Sequence, residues 1–334
     1  MSTDEQKVIS VDNLIKYYSQ RKKLVPAEGK ASRRQDIKSV DGISLSLKKG
    51  EILGVIGESG CGKSTLGKLL VNLEEATSGS ISFSGVPLQE MYKRSPLAFR
   101  RTAQMIFQNP FDTFDPRYTI SKVLTETLKL HKIGGSYEER LAICVEWMEQ
   151  AGLIPATEFL YRHPHELSGG QLQRISILRS MMLNPKFIVA DEPVSMLDVS
   201  VRADIINMLV DLCRQHNTAM LFISHDIIST RYVSDRVAVM YLGRFVEVGP
   251  TDEVMHNPRH PYTRALISNS PLVDSVNKRE IIRIEGEPPT SINTGPGCYF
   301  YSRCYQKRDS CKTEYPGITD VGMGHLVNCP YTQS

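Results

Sequence analysis

No stretch of this 334-residue sequence stays apolar for the roughly 18–20 residues that a membrane-spanning helix needs, so the chain is not expected to cross a bilayer by itself. The opening MSTDEQKVIS lacks the basic-then-apolar order of a secretory leader, which points to the cytosol. No charge of one sign predominates: 40 Lys and Arg stand against 37 Asp and Glu, a net of +3, too even a balance to argue for nucleic acid as the main partner. Cysteine is sparse, and in a reducing compartment the seven present are read as ligands or packing groups and not as disulfides. Internal repeats and low-complexity segments are absent, which excludes a stacked-repeat array. What remains is a globular chain longer than one core usually organises, expected as one main domain of about 250 residues plus an appendage.

Two β-branched runs, VISVDNL (8–14) and SVDGISLSL (39–47), read as strands. Between them YSQRKKLVPAEGKASRRQDIK (18–38), whose part 19–38 is rich in basic residues, has no apolar periodicity and is expected to be a surface insertion or mobile loop. EILGVIG is a short apolar strand feeding KSTLGKLLVNL, where Leu66, Leu69, Leu70 and Leu73 are expected to share a helical face. Residues 117–160 carry helical patterns, including Leu141, Cys144, Val145 and Met148, so a helical subdomain is expected to interrupt the sheet. KFIVADEP, AMLFISHD and the hairpin-like RVAVMYLGRFVEVG restore strand signals, and Ile205, Leu209, Leu212 and Cys213 mark a helix joining the first two. From about residue 258 the texture turns to Pro, Gly, Tyr and Cys.

Gly57-Glu58-Ser59-Gly60-Cys61-Gly62-Lys63-Ser64, followed by Thr65, fits G-x-x-x-x-G-K-[ST], with the required strand before it and helix after it. The glycines let backbone N–H groups curl around phosphates at a helix N-terminus. Lys63 would reach the β- and γ-phosphates and Ser64 would hold Mg²⁺, whereas Cys61 reads as a small filler. FIVAD delivers Asp191 to orient the Mg²⁺ shell, and Glu192 beside it can polarise a water for in-line attack. His225, ending another apolar strand, could donate to a γ-phosphate oxygen, and Gln108 in MIFQNP offers an amide to Mg²⁺ and the attacking water.

LSGGQLQR (167–174) sets a second glycine pair behind a serine at a helix start, yet no apolar strand leads into it. Ser168 would cap a helix that buries Leu172, Ile175, Leu178 and Met182, leaving a partly positive N-terminus exposed. His163, His165 and Glu166 in HPHELSGG are not read as a metal site, because Pro164 forbids a helix there.

Taken in order, the phosphate loop, Gln108, LSGGQ, FIVADE, SMLD and His225 resemble the ATP-binding cassette (ABC) family over about residues 8–255. The resemblance implies an α/β P-loop NTPase (RecA-like) cassette with an antiparallel β subdomain and an inserted helical subdomain at about 115–182. It also implies head-to-tail pairing in which Ser168, Gly169, Gly170 and Gln171 close over ATP held by a partner. Tyr18 matches the aromatic that stacks on adenine, with Tyr17 as rival, and Asp198 matches the acidic end of the loop crossing between cassettes. Met196 stands where the family usually has alanine, a departure expected to affect local packing.

RHPYTRALISNSPL, IEGEPPTSINTGPGCYFYSRC and the later cysteines resemble the C-terminal region of oligopeptide/dipeptide importer ATPases, which divides the chain at 1–257 and 258–334. Cys298, Cys304, Cys311 and Cys329 form a set of four thiolates that suits either a [4Fe–4S] cluster or zinc, with unligated thiols as a third reading; the paired cysteines of zinc ribbons are absent, and the resemblance implies the iron–sulfur cluster. The resemblance implies a peripheral subunit at the cytoplasmic face of the membrane, working with a homologous ATPase, two membrane permease subunits and an extracytoplasmic solute-binding protein, and with no nucleic acid. Nickel or sugar cargo, and a soluble cassette acting on ribosomes or DNA, are the alternatives.

Overall fold

A computed structural model describes residues 7–20, 35–270, 281–287, 289 and 294–331. The chain runs β1 (Lys7–Gln20), β2 (Gln35–Lys48), β3 (Ile52–Ile56), α1 (Lys63–Leu70), β4 (Ser78–Phe83), β5 (Val86–Pro87), α2 (Leu88–Arg94), α3 (Pro96–Thr102), β6 (Ala103–Ile106) and α4 (Ile120–Leu130). It continues through α5 (Tyr137–Gln150), α6 (Thr157–Leu160), α7 (Gly169–Met181), β7 (Phe187–Asp191), α8 (Val199–Gln215), β8 (Ala219–Ile223), α9 (Ile227–Val233), β9 (Arg236–Tyr241) and β10 (Arg244–Pro250). It closes with α10 (Thr251–His256), α11 (Pro261–Ser268), β11 (Thr319–Asp320) and β12 (Leu326–Val327). These elements fall into two compact units, Met1–Ile9 with Leu47–Ile52 and Ser82–Phe222, and Ser10–Ser46 with Leu53–Ile81 and Ile223–Ser334.

In the first unit β8, β7 and β6 are neighbours, with β6 parallel to β7 from Ala103↔Phe187 to Ile106↔Ala190. Every residue of FIVAD is buried, as parallel strands covered on both faces require. Phe83 meets Phe99 and Phe187 edge-on at 5.6 and 5.9 Å, an arrangement aromatic quadrupoles favour. Helices α4 to α7 occupy the region read as a helical subdomain. Within α5 only Cys144 and Met148 are fully buried, so Leu141 and Val145 form the half-covered flank of that face.

In the second unit the strand order is β11-β12-β10-β9-β3, with β3 parallel to β9. The hairpin legible in the sequence forms: β9 and β10 pair antiparallel, and Leu242 and Gly243 turn at φ 44° and 83°, the two positive dihedrals of a type I′ turn. The segment after residue 258 shares this unit's core. Tyr241, Tyr262 and Phe300 meet with ring centroids 4.7 to 5.3 Å apart, and β12 extends the sheet through Glu247↔Val327 and Val248↔Leu326.

Three expectations are corrected. Leu73 does not share the α1 face: the helix ends at Leu70, Asn72 turns at φ 53°, and Leu73 is left exposed. The segment read as a loop over 18–38 is strand at both ends, up to Gln20 and from Gln35, and Ser19 Oγ donates to Asp36 Oδ1 at 2.6 Å between those ends. Residues 21–34, the remainder of that expectation, lie outside the described residues. Pro164 does not forbid helix: it opens a one-turn 3-10 helix, Pro164–Glu166, at the first position, where its missing N–H is harmless.

Candidate nucleotide site and four-cysteine cavity

The phosphate loop follows directly on the buried strand β3. Its first and last glycines are sterically compelled: a Cβ on Gly57 would lie 2.2 Å from the Met240 carbonyl oxygen, and one on Gly62 would lie 2.0 Å from that of Ser39. Gly62 is also the N-cap of α1 at φ 109° and supplies no side-chain acceptor, so the first amides of the helix have no side-chain cap and are suited to phosphate oxygens. Lys63 is buried, its Nζ donating to the carbonyl oxygens of Gly57 and Glu58 at 2.8 and 2.9 Å. Ser59, Gly60 and Ser64 are exposed along the same loop, and Thr65 Oγ1 accepts a bond from Ser39 Oγ at 2.9 Å. Cys61 is buried. Burial pushes its thiol pKa up despite the Lys63 charge, which fits a filler and not a nucleophile.

Glu58 has partners that the sequence reading did not find. Arg303 grips its carboxylate with both terminal nitrogens, Nη1 to Oε2 at 2.8 Å and Nη2 to Oε1 at 3.1 Å, and its backbone N–H donates to the Tyr262 hydroxyl at 3.0 Å. No local motif announces an arginine 245 positions away.

The two tyrosine candidates have different partners. Tyr17 donates its hydroxyl to Asp41, which also accepts from Tyr299 Oη at 2.5 Å and Arg244 Nε at 2.9 Å. Burial and the Asp41 carboxylate raise the Tyr17 pKa. Tyr18 is 36% exposed and donates to Glu74. His225 in the same unit is exposed just beyond β8.

The first unit holds most of the other residues predicted to act on the nucleotide. Asp191 ends β7 and is buried, and Glu192 follows at φ 48°, a left-handed conformation unusual for a non-glycine residue. Gln108 Nε2 donates to Glu192 Oε2 at 3.0 Å and to Ser195 Oγ at 3.1 Å, so the structure brings together two residues predicted from separate segments and adds a third. Ser195 Oγ in turn donates to the Glu192 carbonyl at 3.1 Å. Ser195 opens the SMLD segment, next to Met196.

LSGGQ forms a reciprocal cap: Ser168 Oγ accepts from the Gln171 N–H at 3.3 Å and Gln171 Oε1 accepts from the Ser168 N–H at 3.0 Å. Leu172, Ile175, Leu178 and Met182 are buried, as the sequence pattern required. Gly169 and Gly170 face α8 and the turn before it, where a Cβ on Gly170 would come within 2.9 Å of Val201 Cγ1. Asp198 is the exposed N-cap of α8. Met196 is 62% exposed, so the departure from alanine places no strain on the interior.

In the second unit Cys298, Cys304, Cys311 and Cys329 all line one cavity of about 460 Å³, with Phe300, Tyr315 and Pro330 among its walls. Burial raises the thiol pKa of Cys298 to about 11, and the neighbouring cysteines push in the same direction. Cys304 and Cys329 are raised for the same reasons. Among the described residues no three His, Cys, Asp or Glu groups converge closely enough to share one metal ion. His163 and His165 stack on each other at 5.6 Å, and the His163 N–H donates to Glu166 Oε2 at 2.6 Å.

A family profile described as ABC transporter matches residues 40–195, and one described as oligopeptide/dipeptide transporter, C-terminal region, matches residues 246–311. The chain is 41% identical to the dipeptide transport ATP-binding protein DppF of Escherichia coli, an alignment covering 98% of this chain and 97% of the relative. It is 43% identical to the oligopeptide transport ATP-binding protein AppF of Bacillus subtilis, covering 88% of this chain and 89% of the relative. Among solved structures, the dimeric bacterial ABC transporter cassette MJ0796 superposes with a TM-score of 0.62 at 26% identity, covering 73% of this chain and 98% of that one.

Proposed function

From the premise that this chain belongs to the ATP-binding subunits of ABC oligopeptide/dipeptide transporters, enzymes that hydrolyse ATP to drive transport, we propose that it powers import of di- or oligopeptides. The names of the relatives favour peptide over nickel or sugar cargo, and over an action on ribosomes or DNA. The observation that carries the catalytic reading is the Gln108–Glu192 hydrogen bond in a chain that also holds a complete phosphate loop.

Each residue then has a chemical task. Loop amides from Gly57 to Thr65 and the Lys63 ammonium bind the triphosphate, and Tyr18 stacks on adenine. Glu192 takes the proton of an attacking water that Gln108 helps to orient, and His225 donates to the γ-phosphate. Ser64, Gln108 and Asp191 offer the hard oxygen donors that suit Mg²⁺, which neutralises phosphate charge when bound. Ser168, Gly169, Gly170 and Gln171 present a capped helix N-terminus to the nucleotide of a homologous ATPase, with Asp198 beside that seam. Closure of such a pair is passed to two permease subunits at the cytoplasmic face of the membrane, with cargo delivered by an extracytoplasmic solute-binding protein. Among the described residues no helix is long and apolar enough to cross a membrane, which fits peripheral attachment. Residues 1–257 act as the cassette and 258–334 as a specialised extension.

The four-cysteine cavity supports a [4Fe–4S] cluster better than zinc. One zinc ion draws four sulfurs to about 2.3 Å from a single point, whereas a cluster gives each thiolate its own iron and spreads them apart. What supports the cluster here is that all four thiols line one cavity.

The test is Glu192→Gln. Hydrolysis should fall about 10²–10⁴-fold, the usual contribution of a positioned base, with ATP binding retained. Unchanged turnover would remove Glu192 from its assigned role. Purification from native membranes should bring down two permeases and a homologous ATPase, and recovery of ribosomes or DNA instead would overturn the importer reading.

A further inference from the structure

The five residues between the first two cavity cysteines reach out of the cavity to the nucleotide-binding face of the same unit. Tyr299 donates to Asp41 at 2.5 Å, the carboxylate that also holds Tyr17, neighbour of Tyr18. Phe300 packs on Tyr241 and Tyr262, and Tyr262 accepts the Glu58 N–H. Arg303, 8% exposed and one position before Cys304, forks onto the Glu58 carboxylate, while its Nη1 also reaches Tyr241 Oη at 3.4 Å. The backbone is equally committed to the cavity rim, since the Cys298 N–H donates to the Cys311 carbonyl at 2.8 Å and the Cys304 N–H to that of Tyr301. A displacement of Cys298 or Cys304 therefore moves Arg303 relative to the phosphate loop.

We propose that Arg303 is a positioning residue for ATP, coupling the four-cysteine cavity to the phosphate loop through Glu58. This rests on the reading of the cavity as a thiolate site for an iron–sulfur cluster. With the thiolates bound to a common group, the 298–304 turn is fixed, the guanidinium neutralises Glu58, and the loop stays open to an anionic triphosphate. With the thiols unbound the turn slackens, leaving a carboxylate beside the phosphates, and affinity falls.

The experiment uses the full chain, prepared anaerobically, with iron content and absorbance measured beside equilibrium binding of a fluorescent ATP analogue. Arg303→Ala should weaken binding about tenfold, equivalent to about 1.4 kcal/mol, with iron content unchanged. Arg303→Lys keeps the charge but not the fork and should fall between the two. Adding Glu58→Gln to Arg303→Ala should recover affinity by removing the orphaned carboxylate, a rescue that a merely structural role of Arg303 would not give. The double variant Cys298→Ser/Cys304→Ser should weaken binding similarly, and its effect should not add to that of Arg303→Ala, as expected for one coupled path. Unaltered affinity in Arg303→Ala, or full additivity, overturns the proposal. Absence of iron from wild-type protein with non-additivity intact sinks only the cluster reading.

Discussion

Glu247 is 1% exposed, yet its carboxylate accepts three bonds, from the Arg259 N–H at 2.7 Å, the His260 N–H at 2.9 Å and His325 Nε2 at 2.7 Å. It thereby ties β10 to the entry of α11 and to the approach of β12. Replacing Glu247 with Ala orphans all three donors in the interior, and at about 1–3 kcal/mol for each unsatisfied buried group the loss should reach about 3–9 kcal/mol. His325→Ala removes only one donor and some packing, and the carboxylate keeps two amides, so its cost should be nearer 2 kcal/mol. Urea midpoints followed by fluorescence, with limited proteolysis of the C-terminal region, measure both. Since β12 pairs with β10 just before Cys329, His325→Ala should also expose the Cys329 region to protease. If the two variants cost the same, or Glu247→Ala stays within about 0.5 kcal/mol of wild type, the buried carboxylate is not the anchor described.

Other outcomes follow from the nucleotide site. Tyr18→Ala should weaken ATP binding by about 1–3 kcal/mol, the usual worth of a base-stacking aromatic, whereas Tyr17→Phe should spare binding and lower the melting temperature, and the reverse pattern would exchange their roles. Ser168→Ala should cost about 1 kcal/mol of stability as a lost N-cap but reduce hydrolysis by the assembled pair far more, which comparison of melting with turnover resolves. Burial alone would raise the Asp41 pKa, but bonds from Tyr17 and Tyr299 and the Arg244 charge outweigh it, and the group is lowered. Asp41 therefore adds stability at pH values above its unfolded pKa, lost as pH falls through the lower folded one. Asp41→Asn should cost about 2–4 kcal/mol at pH 7, a deficit that shrinks below about pH 4 when denaturation midpoints are compared.

Local chemistry made much of the cassette legible. The phosphate loop, the LSGGQ cap and the β9–β10 hairpin each depend on residues within about ten positions, so glycine placement and apolar period revealed them. Buried strands such as FIVAD declared themselves by unbroken hydrophobicity, and the carboxylates at their ends followed. Leu73 was misplaced because periodicity continues past the point where Asn72 adopts a left-handed turn. Ser195 and Arg303 escaped notice for a different reason. Each acts on a partner 87 or 245 positions away, and no side-chain pattern along the chain encodes such a meeting. Tyr17 and Tyr18 were inseparable in sequence because adjacent strand residues differ only in the face they take; in the structure Tyr17 bonds Asp41 and Tyr18 bonds Glu74.

The contact of Gly170 with Val201 has a mechanical meaning. A missing methyl is what admits the neighbouring valine, so the tip bearing Ser168 is closely packed on the start of α8, next to Asp198. Under the pairing proposed above, the two would present to an opposing subunit as one surface.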